Sequence, residues 1–400
     1  MTEQHTVAVD IVIFGGGVAG LWLLNRLRQA NYNAILIESE ALGKGQTRYA
    51  QGIIHGGTKY ALTGKLTASS EAVSQMPGIW RDCVQGNGEI DLRTVKILSP
   101  HQYMWSTTSL TSRMAGFFAS HVMRSRTTRS LAAEERPEVF RNPGFKGHVY
   151  RLDEPVLDTA SIITALATPH LDAIVQATLE NVTVNPDDSS LLTLKASDDK
   201  VWQVECKRIV LTAGQGNAGL LHAMGRGSPA MQLRPLHMVM LRGGLPESLY
   251  AHCLGASVNP RITITSHYDE KGEIVWYLGG QLSEDGVKRS DAEQIQAAQA
   301  ELQDLMPWLD LSQAQWASLH IDRAEPRQAD GKRPDTSFVE ENRGVITSWP
   351  TKMALAPKLA ADVMEHLQQN DIVASGTQPL PAWPKPAFAV LPWQEEQRWN

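Results

Sequence analysis

Three glycines and one acidic residue near the amino terminus have the types and spacing that bind a dinucleotide. Gly15, Gly17 and Gly20 form a G-x-G-x-x-G pattern, and Glu38 stands at the end of the segment that follows. The first glycine allows a tight turn, the second lets a pyrophosphate approach the backbone, and the third permits close contact between helix and strand. Glu38 can accept hydrogen bonds from an adenosine ribose, and Ser39 lies next to it. The pattern therefore predicts a dinucleotide-binding site.

The segments around these glycines supply the elements that must position them. The apolar run 11–14 predicts a strand, a helical pattern begins at Val18 and Ala19, and a second apolar run ends at Glu38. The N-terminus of such a helix offers free N–H groups and a partial positive charge to the phosphates. A lone glycine pattern is weak, but strand, glycine turn, helix, strand and acid in this order are specific.

A polar, glycine-rich loop follows the second strand, where an NAD-binding domain normally continues into another helix. It covers residues 43–57 and includes Thr47, Arg48, Gln51 and Gly52. Such a loop suits a cofactor that extends past its pyrophosphate to a flavin ring. The loop therefore favours FAD over NAD.

His55 is the leading candidate for a catalytic base. In flavin oxidoreductases the ring takes the electrons, and the protein provides a base near the O–H or N–H of the substrate. An unperturbed histidine has a pKa of about 6.5, which suits proton transfer near neutral pH, and Gly56 and Gly57 leave space around the side chain. Two alternatives stay open: a hydrogen bond from His55 to the backbone or the FAD, and a covalent link between histidine and flavin.

Five segments resemble the FAD-dependent oxidoreductases of the D-amino-acid oxidase superfamily, which includes glycerol-3-phosphate dehydrogenases, 2-hydroxyglutarate oxidases, and glycine or sarcosine oxidases. They are the glycine pattern, IIHGGTKY at 53–60, EPVLD at 154–158 with the helical pattern after it, RIVLTAG at 208–214, and GVITSWPTK at 344–352 with the helical pattern 353–367. They follow the order of the family over most of the chain. The resemblance implies a bound FAD, with non-covalent attachment favoured over covalent.

The same resemblance implies an α/β fold with interleaved domains. A Rossmann-like FAD-binding domain of the glutathione-reductase type is expected from 8–75, 150–225 and 335–370. An α+β substrate domain built on an antiparallel sheet is expected from 76–149 and 226–334. Local patterns agree in outline, because they predict strands at 173–184, 191–194, 201–204, 233–241, 261–267 and 274–280, and a helix at 291–306 that stops before Pro307.

Residues 371–400 form a Pro- and Trp-rich C-terminal arm. We expect this arm to pack across its own domain, and the alternative is docking on a partner or a membrane surface. The helical pattern at 111–123 has the same two interpretations, with core packing preferred over peripheral membrane contact.

The resemblance also implies cofactor contacts far along the chain from the first glycines. Ala213 and Gly214 end a strand like the one that ends in Ala-Ala-Gly in the family. Thr351, Lys352 and Met353 form the turn before the C-terminal flavin-binding helix. The charge of Lys352 and the N-terminus of that helix would stabilise the anionic reduced ring, with backbone N–H groups of the two neighbours beside it. A surface lysine at a turn is the alternative.

Basic residues suggest an anionic substrate. Lys59 and Tyr60 occupy the Arg-Tyr positions of the glycerol-3-phosphate segment, where a cation and a phenol can bind phosphate or carboxylate. Lysine lacks the bidentate geometry of arginine, and a solvated lysine with a packed tyrosine is the alternative. Arg323 and Arg327 compete for the role of the arginine that binds the substrate anion in the family, with Arg323 preferred, and Glu325 can instead pair with one of them.

A further histidine, His237, lies on a predicted strand of the substrate domain that reaches the flavin in members of the family. A catalytic role is one interpretation of His237. The alternative is a structural histidine whose hydrogen bonds are satisfied within the core.

The composition limits the remaining function classes. The chain has 400 residues and a net charge of −6, so it has no general attraction to nucleic acid or anionic lipid. Three widely spaced cysteines form neither a disulfide framework nor a metal-binding pattern. Without a signal peptide or a membrane-spanning run, a cytoplasmic location is expected.

Taken together, these features predict an FAD-dependent oxidase or dehydrogenase. It would take a hydride from a CH–OH or CH–NH carbon of a small, anionic substrate to flavin N5, and pass electrons to oxygen or a carrier. The alternatives are a flavoenzyme that acts on a macromolecule, such as a modified nucleoside or a protein-bound amine, and a non-catalytic FAD-binding sensor or assembly protein.

Overall fold

The structure is a computed structural model that describes residues 5–56, 68–107, 130–185, 189–254, 259–328, 334 and 336–399. Lys59, Tyr60 and the helical pattern at 111–123 lie outside the described residues. The described strands are β1 (His5–Phe14), β2 (Ala34–Glu38), β3 (Ala41–Leu42), β4 (Ile97–Ser99), β5 (Gln102–Ser106), β6 (His148–Leu152), β7 (Val156–Leu157), β8 (Ile174–Thr183), β9 (Ser190–Ala196), β10 (Val201–Leu211), β11 (Met231–Arg242), β12 (Ala251–Cys253), β13 (Ile262–Tyr268), β14 (Ile274–Gly279), β15 (Gln315–Pro326), β16 (Phe338–Asn342), β17 (Val345–Trp349) and β18 (Ala387–Phe388). The described α-helices are α1 (Val18–Gln29), α2 (Ala68–Gln85), α3 (Thr159–Ala167), α4 (Gly216–Ala223), α5 (Gln281–Asp285), α6 (Asp291–Leu305) and α7 (Ala356–Gln369).

The first sheet carries the dinucleotide pattern. Strand β1 pairs in parallel with β2 and β10, while β2 pairs in parallel with β8 and β10 with β17. Strand β9 pairs with both β8 and β10 in an antiparallel meander. At the other edge of the sheet, β16 pairs antiparallel with β17. The glycine turn thus follows a strand with parallel neighbours on both sides, which places it at the carboxyl edge of the sheet.

Successive residues of β1 enter two different cores, because side chains alternate between the faces of a strand. Ile11 and Ile13 pack with helical residues such as Leu23 and Leu359. Val12 packs instead with residues of the meander. Burial on both faces explains why this strand has a continuous apolar sequence rather than an alternating one.

The second sheet has the order β15-β11-β14-β13-β12-β5-β6. Its pairings are antiparallel except that of β12 with β5. One face packs on α6 through Leu302 and Leu305. The opposite face carries Met238 and Tyr277, and it meets Tyr49 of the glycine-rich loop. The second sheet therefore covers that loop with the face that α6 leaves open.

The predicted domain boundaries at 75/76 and 149/150 both fall within regular elements. Helix α2 crosses the first one, and its Met76, Trp80 and Cys83 pack in the helical core of the first sheet. Strand β6 crosses the second and pairs with β5 in the second sheet. The domain division as a whole stays a prediction.

Other predicted elements differ from the structure mainly at their ends. The segments 201–204 and 208–211 belong to one strand, β10, and α7 begins at Ala356 after a short 3₁₀ turn over Met353–Leu355. Within the described residues, no helix combines the length and the apolar character that crossing a bilayer requires.

The C-terminal arm packs on its own chain. Trp383 donates to the carbonyl of Asp172 at 3.0 Å, and β18 pairs in parallel with β3. Further along, Trp393 stacks on His267 with ring centroids 3.7 Å apart. Trp383, Trp393 and Trp399 are all buried, so none of them offers a docking surface to a partner.

Candidate active site

The glycine turn after β1 is fixed by close backbone contacts. Gly15 has φ +107°, and a Cβ there would lie 2.6 Å from the Cα of Ala213. A Cβ on Gly20 would lie 2.1 Å from the carbonyl oxygen of Gly15. Only glycine fits both positions, and the turn packs directly against the predicted cofactor segment after β10.

The N-terminus of α1 presents backbone amides that can bind an anion. The first intrahelical bond runs from Leu21 N to the oxygen of Gly17, so the amides of Val18, Ala19 and Gly20 precede it. No acidic residue lies in the first turn. The hydroxyl of Thr47 accepts from Val18 N at 3.2 Å, so its own proton points elsewhere. This donor set suits a pyrophosphate.

Glu38 lies beside the same turn. One carboxylate oxygen accepts from Gly16 N at 2.7 Å and the other from Glu40 N at 2.9 Å, while Ser39 is exposed. Burial raises the pKa of Glu38 above its ordinary value, although these amides oppose the shift. Each oxygen keeps a further lone pair with which it can accept from a ribose hydroxyl.

Two polar residues of the glycine-rich loop have protein partners. Arg48 donates to Glu395 at 2.8 Å and to the carbonyl of Val390, both in the C-terminal arm. Gln51 donates to the carbonyl of Tyr277 in the second sheet at 3.1 Å. These contacts join the loop to the rest of the protein, and the predicted cofactor roles of both residues stay predictions.

Gly52 holds the end of this loop against β7. It has φ +76°, and a Cβ there would lie 2.2 Å from the carbonyl oxygen of Leu157. Leu157 N donates to the oxygen of Gly52 at 2.9 Å. This pairing brings Ile53 opposite Val156 and leads the chain directly to His55.

His55 faces a buried carboxylate. Its Nδ1 lies 3.6 Å from Oε2 of Glu154, and the side chain is 38% exposed where that of Glu154 is 5% exposed. Gly56 N donates to the other oxygen of Glu154 at 2.8 Å, and the Gln102 amide also donates to the carboxylate. The ring of His252 stacks on that of His55 with centroids 5.8 Å apart.

The surroundings keep Glu154 ionised. Burial alone would raise its pKa, but His55, the Gly56 amide and the charge of His252 together lower the pKa to about 2. A carboxylate fixed in this way holds the facing imidazole ring and favours positive charge on it. His55 therefore has the partner that a proton-accepting histidine requires.

The turn from Thr351 to Met353 comes close to the same helix that supports the His55 loop. Trp80 of α2 donates to the carbonyl of Ala354 at 2.9 Å. Pro77 lies one turn earlier on α2, and a Cβ on Gly56 would lie 3.1 Å from it. Helix α2 thus brings together the His55 loop and the predicted flavin-side turn, which lie about 300 residues apart in sequence.

The backbone of this turn is unusual. Thr351 has φ +59°, and its hydroxyl donates to the carbonyl of Thr336 at 3.0 Å. The Nζ atom of Lys352 is buried, so its charge acts within the protein rather than in bulk solvent. Gly214 accepts from the Trp349 indole at 3.0 Å, and a Cβ on Gly214 would lie 3.2 Å from Gln46. The predicted cofactor segments therefore meet at one edge of the first sheet.

This set of residues fits FAD. Glycine positions without room for a Cβ, the amides at the N-terminus of α1, a carboxylate at the end of β2 and a buried ammonium are groups that suit the parts of the cofactor. Val18 and Ala19 would meet the pyrophosphate, and the turn 351–353 would meet the flavin. The individual contacts stay predictions.

His237 has a different environment from the one predicted. It is fully buried, and it faces Gly286 and Asp291 on the α6 side of the second sheet, whereas Met238 and Met240 point toward the glycine-rich loop. Because neighbouring side chains on a strand point to opposite faces, this placement argues against a role at the flavin.

The two candidate arginines also differ from each other. Arg323 is partly buried on β15, opposite Arg234 of β11, with its guanidinium 3.7 Å from Glu284. Arg327 is exposed, and its amide donates to the carbonyl of Ala230. Of the two arginines, only Arg323 is partly shielded from solvent by the protein.

No sequence pattern predicted a role for Glu154, Gln102 or His252. Glu154 lies directly before Pro155 and the buried strand β7, and its burial is visible only in the structure. The other two residues come from strands of the second sheet, and only the tertiary fold brings them to His55.

Residues 10–348 match the family model described as DAO, FAD dependent oxidoreductase. The chain is 46% identical over 391 residues to an FAD-dependent oxidoreductase of Pseudomonas aeruginosa, with 98% of each protein covered. The crystal structure of that protein superimposes with a TM-score of 0.83 and 42% identity, covering 98% of this chain and 99% of the other.

More distant structures share the fold. Glycine oxidase from Geobacillus kaustophilus gives a TM-score of 0.66 at 14% identity, covering 98% of this chain and 100% of the other. L-α-glycerophosphate oxidase from Mycoplasma pneumoniae, solved with FAD bound, gives 0.66 at 13% identity, covering 96% and 99%.

Proposed function

Because this chain belongs to the DAO family of FAD-dependent oxidoreductases, we propose that it oxidises a CH–OH or CH–NH carbon of a small, anionic substrate with His55 as the base. The observation that carries this proposal is the contact between His55 and the buried, ionised Glu154. Bound FAD supplies the acceptor for the hydride, and non-covalent binding is proposed with it.

His55 is poised to accept a proton at one nitrogen. Ionised Glu154 faces Nδ1 and favours a proton on that atom, which leaves the lone pair on Nε2. Removal of a proton from a substrate hydroxyl or ammonium then gives an imidazolium, which the carboxylate stabilises. Gly56 and Gln102 hold the carboxylate itself through hydrogen bonds, so the pair does not need to reorganise during the reaction.

The preference for an anion is proposed from Arg323, together with Lys59. Arg323 is held by the carbonyl of Arg234 at 3.3 Å and faces Glu284. An incoming carboxylate or phosphate has to compete with Glu284, so recognition of the anion would include movement of that side chain. Glycine oxidase and glycerophosphate oxidase, which share the fold, are named for a carboxylate and a phosphate substrate.

Anaerobic reduction of the purified flavoprotein by a panel of substrates tests this function. The panel contains glycine, other amino acids, 2-hydroxy acids and glycerol 3-phosphate, and bleaching of flavin absorbance is the signal. We expect one class to bleach the flavin, and readmission of air or of an artificial carrier then identifies the electron acceptor.

The variant His55→Asn is measured beside the wild type with the substrate so identified. We expect it to keep its FAD and to reduce it about 10²- to 10⁴-fold more slowly. A wild type that no member of the panel reduces would contradict the proposed substrate class, and a His55→Asn variant with normal rates would contradict the proposed base.

A further inference from the structure

A second cluster of potential ligands lies on the α6 side of the second sheet. His237 of β11 and His320 of β15 are directly opposite in register, and their rings stack with centroids 3.8 Å apart. Asp291, the first residue of α6, faces both of them. One ligand atom from each of the three residues lies within 4.8 Å of the other two.

The hydrogen bonds of His237 indicate which kind of group can bind between its ring and Asp291. Its Nδ1 lies 3.0 Å from the carbonyl oxygen of Gly286, and its Nε2 lies 3.2 Å from Oδ1 of Asp291. A neutral imidazole has one donor, and both of its partners are acceptors. Since the carbonyl fixes the proton on Nδ1, the lone pair of Nε2 points at a carboxylate. A cation placed beside the two atoms would bind the lone pairs of both.

The geometry favours a cation that His320 also reaches. Zinc binds histidine nitrogen and carboxylate oxygen at about 2.0–2.2 Å, so tetrahedral ligands lie roughly 3.4 Å from each other. The separation between His237 and Asp291 already fits. Nε2 of His320 is 4.0 Å from Oδ1 of Asp291, and its side chain is 54% exposed, so its ring has room to turn toward a shared ion.

The supporting contacts resemble those of a metal site. A metal-binding histidine commonly donates its other N–H to a carbonyl or a carboxylate, as His237 does to Gly286. Ser318 donates to Oδ1 of Asp291 at 2.9 Å, which orients that carboxylate. The aspartate is 73% exposed and lies against the edge strand β15, so an ion can enter from solvent.

We propose that His237, Asp291 and His320 bind a divalent transition-metal ion of the zinc class, with water completing the coordination. Two imidazoles and one carboxylate favour such ions over magnesium or calcium, which prefer oxygen ligands alone. The positive end of the α6 dipole opposes the ion, so we expect weaker binding than at closed four-ligand sites. The ion would join the start of α6 to the sheet edge, away from the proposed flavin site.

Zinc titration of the untagged flavoprotein, stripped with a chelator and desalted, tests this site. Calorimetry should show about one equivalent of zinc bound to the wild type, and affinity reduced about tenfold or more in His320→Ala and in Asp291→Asn. Both side chains are exposed, so normal flavin content and circular dichroism are expected. His222→Ala, which removes an exposed histidine of α4, is the matched control and should bind like the wild type.

Electron paramagnetic resonance with Cu²⁺ as the probe identifies the ligands. We expect splitting from two nitrogens in the wild type and from one in His320→Ala. Absence of stoichiometric zinc binding, or wild-type binding in both variants, would overturn the proposal.

Discussion

Replacement of Glu154 by glutamine should slow substrate oxidation and destabilise the fold while it preserves the local shape. The new amide can keep the bond from Gly56. Gln102, whose own oxygen is buried and has no hydrogen-bond partner among the described residues, can turn to accept from it. The charge is what the substitution removes. His55 then lacks the carboxylate that holds its ring, and we expect flavin reduction to be about 10- to 100-fold slower.

The effect on stability follows from the pKa of Glu154. Its pKa falls from 4.5 to about 2 despite burial, and the charges of His55 and His252 are among the causes, so ionisation favours the folded protein by at most about 3 kcal/mol. Because the folded-state pKa is the lower one, this contribution is fully present above pH 4.5 and is lost as the pH falls toward 2. Glu154→Gln should therefore lower the unfolding midpoint in guanidinium chloride strongly at pH 7, and the difference from the wild type should shrink below pH 4.5.

Asp153→Asn is the matched control, since Asp153 is the adjacent acid but is exposed, with an ion pair to Arg81. Stopped-flow flavin reduction and denaturant titrations at pH 7 and pH 4 measure both effects. Wild-type reduction rates in Glu154→Gln would refute the role of the carboxylate in catalysis. An unfolding difference that does not change with pH would refute the pKa argument.

Three further predictions concern the cofactor and the arm. Gly20→Ala should abolish FAD retention, because its Cβ would lie 2.1 Å from a carbonyl, whereas Gly219→Ala, with open space around it, should keep FAD; flavin absorbance per protein measures both. Trp393→Ala should reduce stability by about 3–5 kcal/mol in denaturant titrations, and Phe388→Ala, which is 44% exposed, by less than about 1 kcal/mol. Lys352→Met should lower the flavin midpoint potential by about 30 mV for each 1.4 kcal/mol of lost stabilisation of the reduced ring, measured by dye equilibration; an unchanged potential would contradict its proposed place near the flavin.

The elements that could be predicted from the sequence are those with a recognisable pattern in one short segment. Residues 11–14 are apolar throughout because both faces of β1 are buried, and the glycines after it are required by close backbone contacts within the turn and with Ala213. The interruption between the two predicted segments that form β10 also has a local cause. Polar Glu205 and Lys207 flank the buried Cys206 there, so the strand continues through a segment whose outward side chains are charged.

Other features of the site depend on contacts between distant segments. Glu154 is 99 residues from His55 in sequence, and no local pattern shows that a carboxylate in a polar segment becomes buried. Arg48 is drawn to Glu395 because the C-terminal arm crosses the loop. The face of the strand on which His237 lies depends on its pairing with β15 and on the position of α6. Such facts follow from the register and packing of whole elements, which residue types do not specify.

A crystal structure of the flavoprotein with a bound substrate or inhibitor tests the central claim most directly. We predict an isoalloxazine ring between the His55 loop and the turn 351–353, with Nε2 of His55 about 2.6–3.2 Å from the oxygen or nitrogen that loses its proton. A ligand whose reacting group contacts a different base, with His55 and Glu154 remote from the ring, would contradict it.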